Sequence, residues 1–239
     1  MRVFRGRAGS ISADRDASGR LLSVAADGES AVRVWVPYRQ VAFGRRDARR
    51  EGYDRACATA DRRGFPPYER DVGGRAVAYD GTTTLAFARA EPVTDSRTGT
   101  TDRYERTTAA LEQALRTLGL EPSHGEPADS FCPGTHSLSV DTHAGERERK
   151  VVGIAQRVRS DAALVAGIVH VANREALTGV LTDVYDALGV ALEPATVGTI
   201  AAAGGPSDPE PVRAAIEGAL VGDATDVSLE TVGDCSRSG

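Results

Sequence analysis

The sequence of 239 residues contains a single lysine. Lys150 is the only lysine among 29 cationic residues, and arginine takes every other place. Arginine serves most surface roles of lysine, but its guanidinium does not release a proton in proteins, whereas an ammonium group can. Lys150 lies where the charged stretch GERERK enters the apolar stretch VVGIAQ. That position favours a role in proton transfer over a lysine retained by chance.

Cysteine is also scarce. Cys57, Cys132 and Cys235 are the three, and their odd number and wide spacing argue against a disulfide framework. No CxxC pair is present, and a structural zinc site needs about four Cys or His ligands at short spacings. We therefore expect no metal site.

The sequence lacks long apolar runs and a basic excess. No run of about eighteen apolar residues exists, and the first residues hold no apolar core of a signal peptide. We therefore expect a soluble, cytoplasmic protein with no membrane partner. The formal net charge of −5 argues against nucleic acid as a partner, because nucleic-acid binding favours a basic face.

The hydrophobic pattern divides the chain into three segments. Residues 1–30 are rich in Arg, Ser and Gly, and we interpret them as a peripheral N-terminal arm or strand pair. Residues 31–190 form the predicted main domain, and residues 191–239 a C-terminal helix and flexible tail packed on it. Strands are predicted at 31–43 (two, broken at Pro37), 76–79, 83–88, 137–140, 150–158 and 164–171, and helices at 47–63, 101–118 and 173–188. This mixed order predicts an α+β fold rather than a doubly wound parallel sheet.

Cys132 is the second candidate for chemistry. It lies in the Gly- and Pro-rich loop FCPGTHS, and loops held by a scaffold commonly carry nucleophiles. A nearby cation or base makes a thiol a better nucleophile, and Lys150 would serve if the loop folded back over its strand. The alternative is a small buried hydrophobic side chain. Cys57 is interpreted as core and Cys235 as part of a frayed tail.

Two glycine positions are ambiguous on their own. Gly73 and Gly74 precede a predicted strand, where they would let the backbone approach a ligand or simply form a hairpin turn. Gly153 lies inside a predicted strand, where glycine indicates a bulge or the close approach of another group.

Together these segments resemble a known family. RDVGGRAVAYD is similar to the RR-x-x-GG-x-AV loop of lipoate–protein ligases and octanoyltransferases, and RKVVGIAQRVR is similar to the family's strand whose lysine touches the acyl carbonyl. PYRQVAFGRRD resembles a third segment of the same family. The resemblance covers roughly residues 30–190. It implies a biotin/lipoate ligase-like fold, with a mixed, largely antiparallel sheet flanked by helices.

FCPGTHSLSV resembles the CPG-x-x-D-L-S stretch of the cysteine-dependent branch, which moves octanoyl groups from the glycine cleavage H protein to other lipoyl domains. The resemblance implies that Cys132 forms an acyl thioester and that Lys150 is its acid/base partner. The residues that it implies at the acyl site are Arg70, Gly73, Gly74, Arg75, Ala76, Val77, Tyr79, Gly153, Ile154, Ala155 and Gln156.

The chain departs from the family pattern at three positions. Glu69 precedes Arg70 where the family has an arginine pair, Tyr79 replaces a histidine, and Ser137 replaces the aspartate of the CPG-x-x-D stretch. These departures bear on the substrate and on nucleotide use more than on the fold.

The resemblance leaves three functions open. The first is transfer of an octanoyl or lipoyl group to the lysine of lipoyl domains, in 2-oxoacid dehydrogenase acyltransferase subunits and the glycine cleavage H protein, with no cofactor. The second is an ATP- and magnesium-dependent lipoate–protein ligase that makes lipoyl-adenylate, with a separate accessory chain. The third is a lipoate-binding module without turnover.

Overall fold

The computed structural model describes residues 1–70, 74–141 and 148–233. Its strands are β1 (Arg2–Arg5), β2 (Ala31–Trp35), β3 (Gln40–Phe43), β4 (Pro67–Glu69), β5 (Val77–Tyr79), β6 (Thr84–Pro92), β7 (Pro122–His124), β8 (Leu138–Asp141), β9 (Glu148–Val158), β10 (Ala162–His170) and β11 (Ser228–Thr231). Its α-helices are α1 (Ile11–Ala26), α2 (Tyr53–Arg62), α3 (Thr100–Thr117), α4 (Arg174–Leu188) and α5 (Pro209–Val221). No helix in these ranges combines the length and apolar composition that crossing a lipid bilayer requires.

The strands form two sheets. The large sheet has eight strands in the order β11-β1-β2-β6-β10-β9-β8-β7, and the small sheet has the order β4-β3-β5. Strand β1 pairs in parallel with both β2 and β11, and the other pairs of the large sheet are antiparallel. The predicted α+β fold with a mixed, largely antiparallel sheet is confirmed.

The two faces of the large sheet carry different helices. Because side chains alternate along a strand, Val32 and Val34 face the core under α3 and α5, whereas Ala31 belongs to the cluster under α1. Strand β6 divides in the same way, with Leu85 toward α3 and α5 and Ala88 toward α1. Helices α2 and α4 pack together over the small sheet.

The prediction of a peripheral arm or strand pair at residues 1–30 is wrong. These residues form β1, an inner strand of the large sheet, and α1, which packs on β6 and β10. Ser10 caps α1 by accepting the N–H of Ala13, and Ala17, Leu21 and Ala25 supply a buried stripe at intervals of four residues. Aspartate, arginine, serine and glycine occupy many of the other positions of α1, so the polar average composition of residues 1–30 concealed this stripe.

The other predicted helices and strands are present and differ from the prediction at their ends. Helices α3 and α4 start and end within about one residue of the predicted bounds. Helix α2 begins at Tyr53 rather than at residue 47, because the carboxylate of Asp47 accepts the N–H of Gly44 in a turn before the helix. Strands β4, β7 and β11 were not predicted. Helix α5 packs on α3, and the tail with Cys235 lies outside the described residues.

Candidate active site

Cys132 lies in the loop between β7 and β8 in a left-handed backbone conformation, with φ of +42°. Side chains other than glycine rarely adopt this conformation, so the surroundings must stabilise it. The N–H of Cys132 donates to the phenolic oxygen of Tyr185 on α4 at 2.6 Å. That phenol donates in turn to the carbonyl of Ala76 at 3.0 Å. The cysteine backbone is therefore tied to α4 and to the residue before β5.

Among the described residues, two nitrogen groups contact the sulfur of Cys132. The backbone N–H of Arg75 donates to Sγ at 3.2 Å, and the guanidinium of Arg70 donates at 3.3 Å. Burial works to lower the pKa of Arg70, but the neighbouring Cys132 and Tyr79 raise it on balance. Both contacts point N–H donors at the sulfur, the atom that acts as the nucleophile in cysteine-dependent reactions.

The turn before β5 brings the backbone close to the sulfur. Gly74 has a φ of +97°, and a Cβ at this position would lie 2.6 Å from Sγ of Cys132 and 2.7 Å from Nη2 of Arg70. Gly44 in turn lies so close to the carbonyl of Gly74 that a Cβ there would be 1.9 Å from its oxygen. The glycine of the predicted loop is therefore required by the close approach of Cys132 as well as by a positive φ.

Lys150 on β9 is fully buried and lies below the Cys132 loop. Its Nζ donates to Oε2 of Glu126 at 2.5 Å and to the carbonyls of Phe131 and Cys132 at 2.8 Å and 2.7 Å. These three acceptors match the three hydrogens of an ammonium group. Burial lowers the pKa of Lys150, and the neighbouring Cys132 and Glu126 oppose that shift.

A cavity of about 520 Å³ lies between α1 and the large sheet and includes Cys132 in its lining. Ala166 on β10 pairs with Ala88 on β6 and with Ala155 on β9, so small side chains line its floor in a row across three strands. Pockets of this size and apolar character are typical of small-molecule sites. Its volume and mostly apolar lining suit an acyl chain.

Helix α1 is fixed above this cavity by a buried polar group. Arg33 on β2 is fully buried and donates to Oδ1 of Asp14 at 2.5 Å, and Nε1 of Trp35 donates to Oδ2 at 2.9 Å. Burial lowers the pKa of Arg33, whereas the Asp14 carboxylate opposes that shift. Sequence reasoning missed this group. The one feature of the sequence that indicates it is an arginine within the apolar segment AVRVW.

The structure brings most of the predicted site residues together. Arg70, Gly74 and Arg75 surround the Cys132 sulfur, and Ala76 accepts the hydrogen bond from Tyr185. The cavity lining further includes Val77, Tyr79, Gly153, Ile154 and Ala155.

One predicted site residue lies elsewhere, and another is not described. Gln156 is absent from the described lining of the cavity and instead bonds to Arg103 and Thr100 of α3. Gly73 lies outside the described residues. Sequence reasoning missed Glu126 and Tyr185, which hold the lysine and the cysteine.

Comparison with known proteins agrees with this geometry. Residues 20–220 match the family described as the lipoyl protein ligase A/B catalytic domain. The chain belongs to this family.

Curated relatives of this family member include the octanoyl-[GcvH]:protein N-octanoyltransferase of Geobacillus kaustophilus, 29% identical over 133 residues, or 56% of this chain and 44% of the relative. The enzyme of the same name from Exiguobacterium sibiricum is 33% identical over 137 residues (56% and 46%). The lipoyl-[GcvH]:protein N-lipoyltransferase of Listeria monocytogenes is 27% identical over 128 residues (54% and 44%). The chain thus spans about half the length of the curated relatives that it matches.

Solved structures of the family have the same fold. A crystal structure of lipoate-protein ligase A bound with ATP superposes with a TM-score of 0.71 at 18% identity, covering 98% of this chain and 89% of that one. Protein Ta0514 of T. acidophilum, a putative lipoate protein ligase with bound lipoic acid, gives 0.69 with the same identity and coverage. These similarities confirm the predicted biotin/lipoate ligase-like fold.

Proposed function

We propose that the protein transfers an octanoyl or lipoyl group to the lysine of a lipoyl domain through a thioester on Cys132. The observation that carries this proposal is the position of the Cys132 sulfur, which faces two N–H donors and lines an apolar cavity. The names of the curated relatives, which are octanoyl- and lipoyltransferases, support the same reaction. The proposed partners are the glycine cleavage H protein and the lipoyl domains of 2-oxoacid dehydrogenase acyltransferase subunits.

The proposed reaction has two balanced steps. The Cys132 thiolate attacks the carbonyl carbon of an acylated lysine, the C–S bond forms, and the amide C–N bond breaks as the amine leaves with a proton. The acceptor lysine then attacks the thioester, its C–N bond forms, it gives up a proton, and the C–S bond breaks to restore the thiolate. One amide replaces another, so the overall free energy is nearly balanced and no nucleotide is required.

Lys150 is the proposed acid/base group for both proton movements. A positioned group of this kind contributes about 10²–10⁴-fold to the rate. All three hydrogens of its ammonium are bonded to oxygen in this structure. Proton delivery to the leaving amine therefore requires one of these bonds to be exchanged for the substrate nitrogen. The backbone N–H of Arg75 is the proposed oxyanion donor, a contact worth about 10²–10³-fold.

The experiment is intact-protein mass spectrometry after incubation with an octanoylated lipoyl domain in the absence of ATP. We expect an octanoyl adduct that hydroxylamine removes and that maps to Cys132. Cys132→Ser should abolish adduct and transfer, Lys150→Arg should nearly abolish transfer, and Cys57→Ser, at a half-buried position of α2, should form the adduct normally.

Two results would contradict the proposal. If no adduct forms, but lipoate with ATP and magnesium modifies an apo lipoyl domain, the protein is a ligase. If lipoate binds and neither incubation modifies a domain, the protein is a binding module.

A further inference from the structure

One carboxylate joins the two ends of the Cys132 loop. Oε1 of Glu126 accepts the N–H of Gly134 at 2.7 Å, and Oε2 accepts the hydroxyl of Ser137 at 2.7 Å. Glu126 precedes Cys132 and the other two residues follow it, so these bonds close the loop around the cysteine. The same Oε2 accepts from Nζ of Lys150 at 2.5 Å.

Glu126 also balances the charge of Lys150. The lysine side chain has no exposed surface, and Glu126 has 15% of its side chain exposed. The two other acceptors of Nζ are neutral backbone carbonyls. A buried ammonium group is costly unless an opposite charge and hydrogen bonds compensate it. Removal of the Glu126 charge therefore withdraws the ionic partner that keeps the ammonium in this position.

Lys150 in turn holds the backbone of the cysteine. Its Nζ bonds to the carbonyl of Cys132, while Tyr185 accepts from the cysteine N–H on the other side. These two contacts stabilise a left-handed conformation that an unconstrained cysteine would leave. Relaxation of this backbone would move Sγ away from the N–H of Arg75.

Glu126 also contacts the residue at one departure from the family pattern. The CPG-x-x-D pattern has an aspartate where this chain has Ser137, and the Ser137 hydroxyl donates to the Glu126 carboxylate. The carboxylate thus comes from the start of the loop, and the serine from its end completes the hydrogen bonding.

We propose that Glu126 is a positioning residue of the acyl-transfer site. Its carboxylate anchors the Lys150 ammonium, and through it the carbonyl of Cys132, so that the thiol stays against the N–H of Arg75. This inference rests on the proposed function. Glu126 contacts neither the sulfur nor, in the proposed reaction, the acyl group. Its charge is nevertheless required for acyl transfer.

The test compares five variants of the full chain, one of which is Glu126→Ala, the reference for the double variant. Glu126→Gln removes the charge at almost unchanged shape, Glu126→Asp keeps the charge with a shorter reach, and Glu126→Ala/Ser137→Asp moves the carboxylate to the end of the loop. Glu193→Gln is the matched control. The backbone N–H of Glu193 bonds to Asp129 in the same loop, but its carboxylate accepts from Ala195.

Two rates are measured: single-turnover formation of the octanoyl thioester, and alkylation of Cys132 by iodoacetamide with Cys57 as the internal reference. Glu126→Gln should slow thioester formation about 10- to 100-fold, the factor that corresponds to one charge-assisted hydrogen bond, with the KM for the donor domain nearly unchanged. It should also change the alkylation rate of Cys132 relative to that of Cys57. Glu126→Asp should fall between Glu126→Gln and wild type, and Glu193→Gln should match wild type.

The double variant Glu126→Ala/Ser137→Asp tests whether Glu126 positions Lys150 or only stabilises the fold. Glu126→Ala/Ser137→Asp should form the thioester at least about tenfold faster than Glu126→Ala alone, because a carboxylate again reaches Nζ. If Glu126→Gln does not fold, as judged by circular dichroism, Glu126→Asp takes its place, with slower thioester formation than wild type as the expected result.

The outcomes distinguish this inference from the proposed function. Wild-type rates of both reactions in folded Glu126→Gln, or in Glu126→Asp where it replaces that variant, would overturn the inference and leave the thioester mechanism intact. Failure of the double variant to exceed Glu126→Ala would also overturn it. If wild type forms no thioester, the proposed function fails, and the ratio of Cys132 to Cys57 alkylation still decides whether Glu126 positions the thiol.

Discussion

Tyr185 and Cys132 are joined by a 2.6 Å hydrogen bond between the phenolic oxygen and the cysteine backbone nitrogen. The same phenol donates its hydrogen to the carbonyl of Ala76. Burial raises the pKa of Tyr185 well above its ordinary value, so the phenol stays protonated and keeps its donor. A side chain of α4 thereby fixes the distance between the Cys132 loop and the turn that presents the Arg75 N–H.

Tyr185→Phe should loosen this connection. It leaves the N–H of Cys132 and the carbonyl of Ala76 without their partner, and one such buried loss costs about 1–3 kcal/mol of unfolding free energy. Urea denaturation measures that loss, and iodoacetamide alkylation should show a changed rate at Cys132. Tyr38→Phe is the control, because its phenol also donates to a backbone carbonyl, that of Ala8, away from the cysteine. An unchanged alkylation rate in Tyr185→Phe would contradict the role assigned to the phenol.

Gly74→Ala should disable the thiol. The added methyl carbon would lie 2.6 Å from the sulfur and 2.7 Å from the Arg70 guanidinium, so the two groups must separate. We expect octanoyl transfer to fall by about 10²-fold or more, as for the loss of an oxyanion donor. Gly64→Ala is matched to it, with a φ of +74° and no atom within 4 Å of its Cβ. Equal transfer rates in the two variants would show that the close approach of Gly74 to Cys132 and Arg70 does not matter for transfer.

Ala166→Leu should shorten the acyl chain that the cavity accepts. Ala166 lies in the row of small side chains between Ala88 and Ala155. Three added carbons there would occupy space that we assign to the distal part of the acyl chain. The ratio of butanoyl to octanoyl transfer, measured with lipoyl domains carrying each group, should rise by about tenfold, the effect of one to two methylene groups in an apolar pocket. A ratio equal to that of wild type would place the acyl chain elsewhere.

His170 should make stability fall at acidic pH. The imidazole is buried and stacks on the Phe131 ring at 4.8 Å, and burial lowers its pKa from 6.5 to about 4. Between these values the unfolded chain binds a proton that the folded protein does not, so folding free energy present above pH 6.5 is lost as the pH falls toward 4.

From pH 7.5 to pH 5 this one group should cost about 2 kcal/mol, because each pKa unit corresponds to about 1.4 kcal/mol. Urea denaturation of wild type and His170→Leu at the two pH values measures the cost as the difference between their pH responses. Identical pH responses would mean that His170 is protonated without penalty in the folded protein.

The part of the site that lies in short segments could be predicted from the sequence. Gly74 stands in a glycine-rich turn, Cys132 in a Gly- and Pro-rich loop, and Lys150 is the single lysine, so each is visible locally. Tyr185 is not, because nothing in the amphipathic pattern of α4 shows that its hydroxyl reaches a loop 53 residues earlier. Glu126 is one acidic residue among many until the fold brings it to Lys150.

The same distinction applies to the fold. Antiparallel neighbours such as β9 and β10 are joined by short connections, and their alternation and turn residues predict them. The pairing of β1 with β11 joins Arg2 to Ser228, and no local pattern specifies so distant a partner. Helix α1 was missed because its apolar stripe is diluted by arginine and serine.

The inner position of β1 bears on when, during folding, the wall of the cavity is fixed in place. One of its two neighbours, β11, lies more than 200 residues later in the chain, and contacts of large sequence separation carry a large loop-closure entropy. Helix α1 follows β1 directly and forms one wall of the cavity. That wall is therefore attached to the strand that pairs with β11, near the other end of the described residues. Under the proposed function, selection among acyl chains is therefore expected to depend on the fully assembled sheet, including the pairing of β1 with β11.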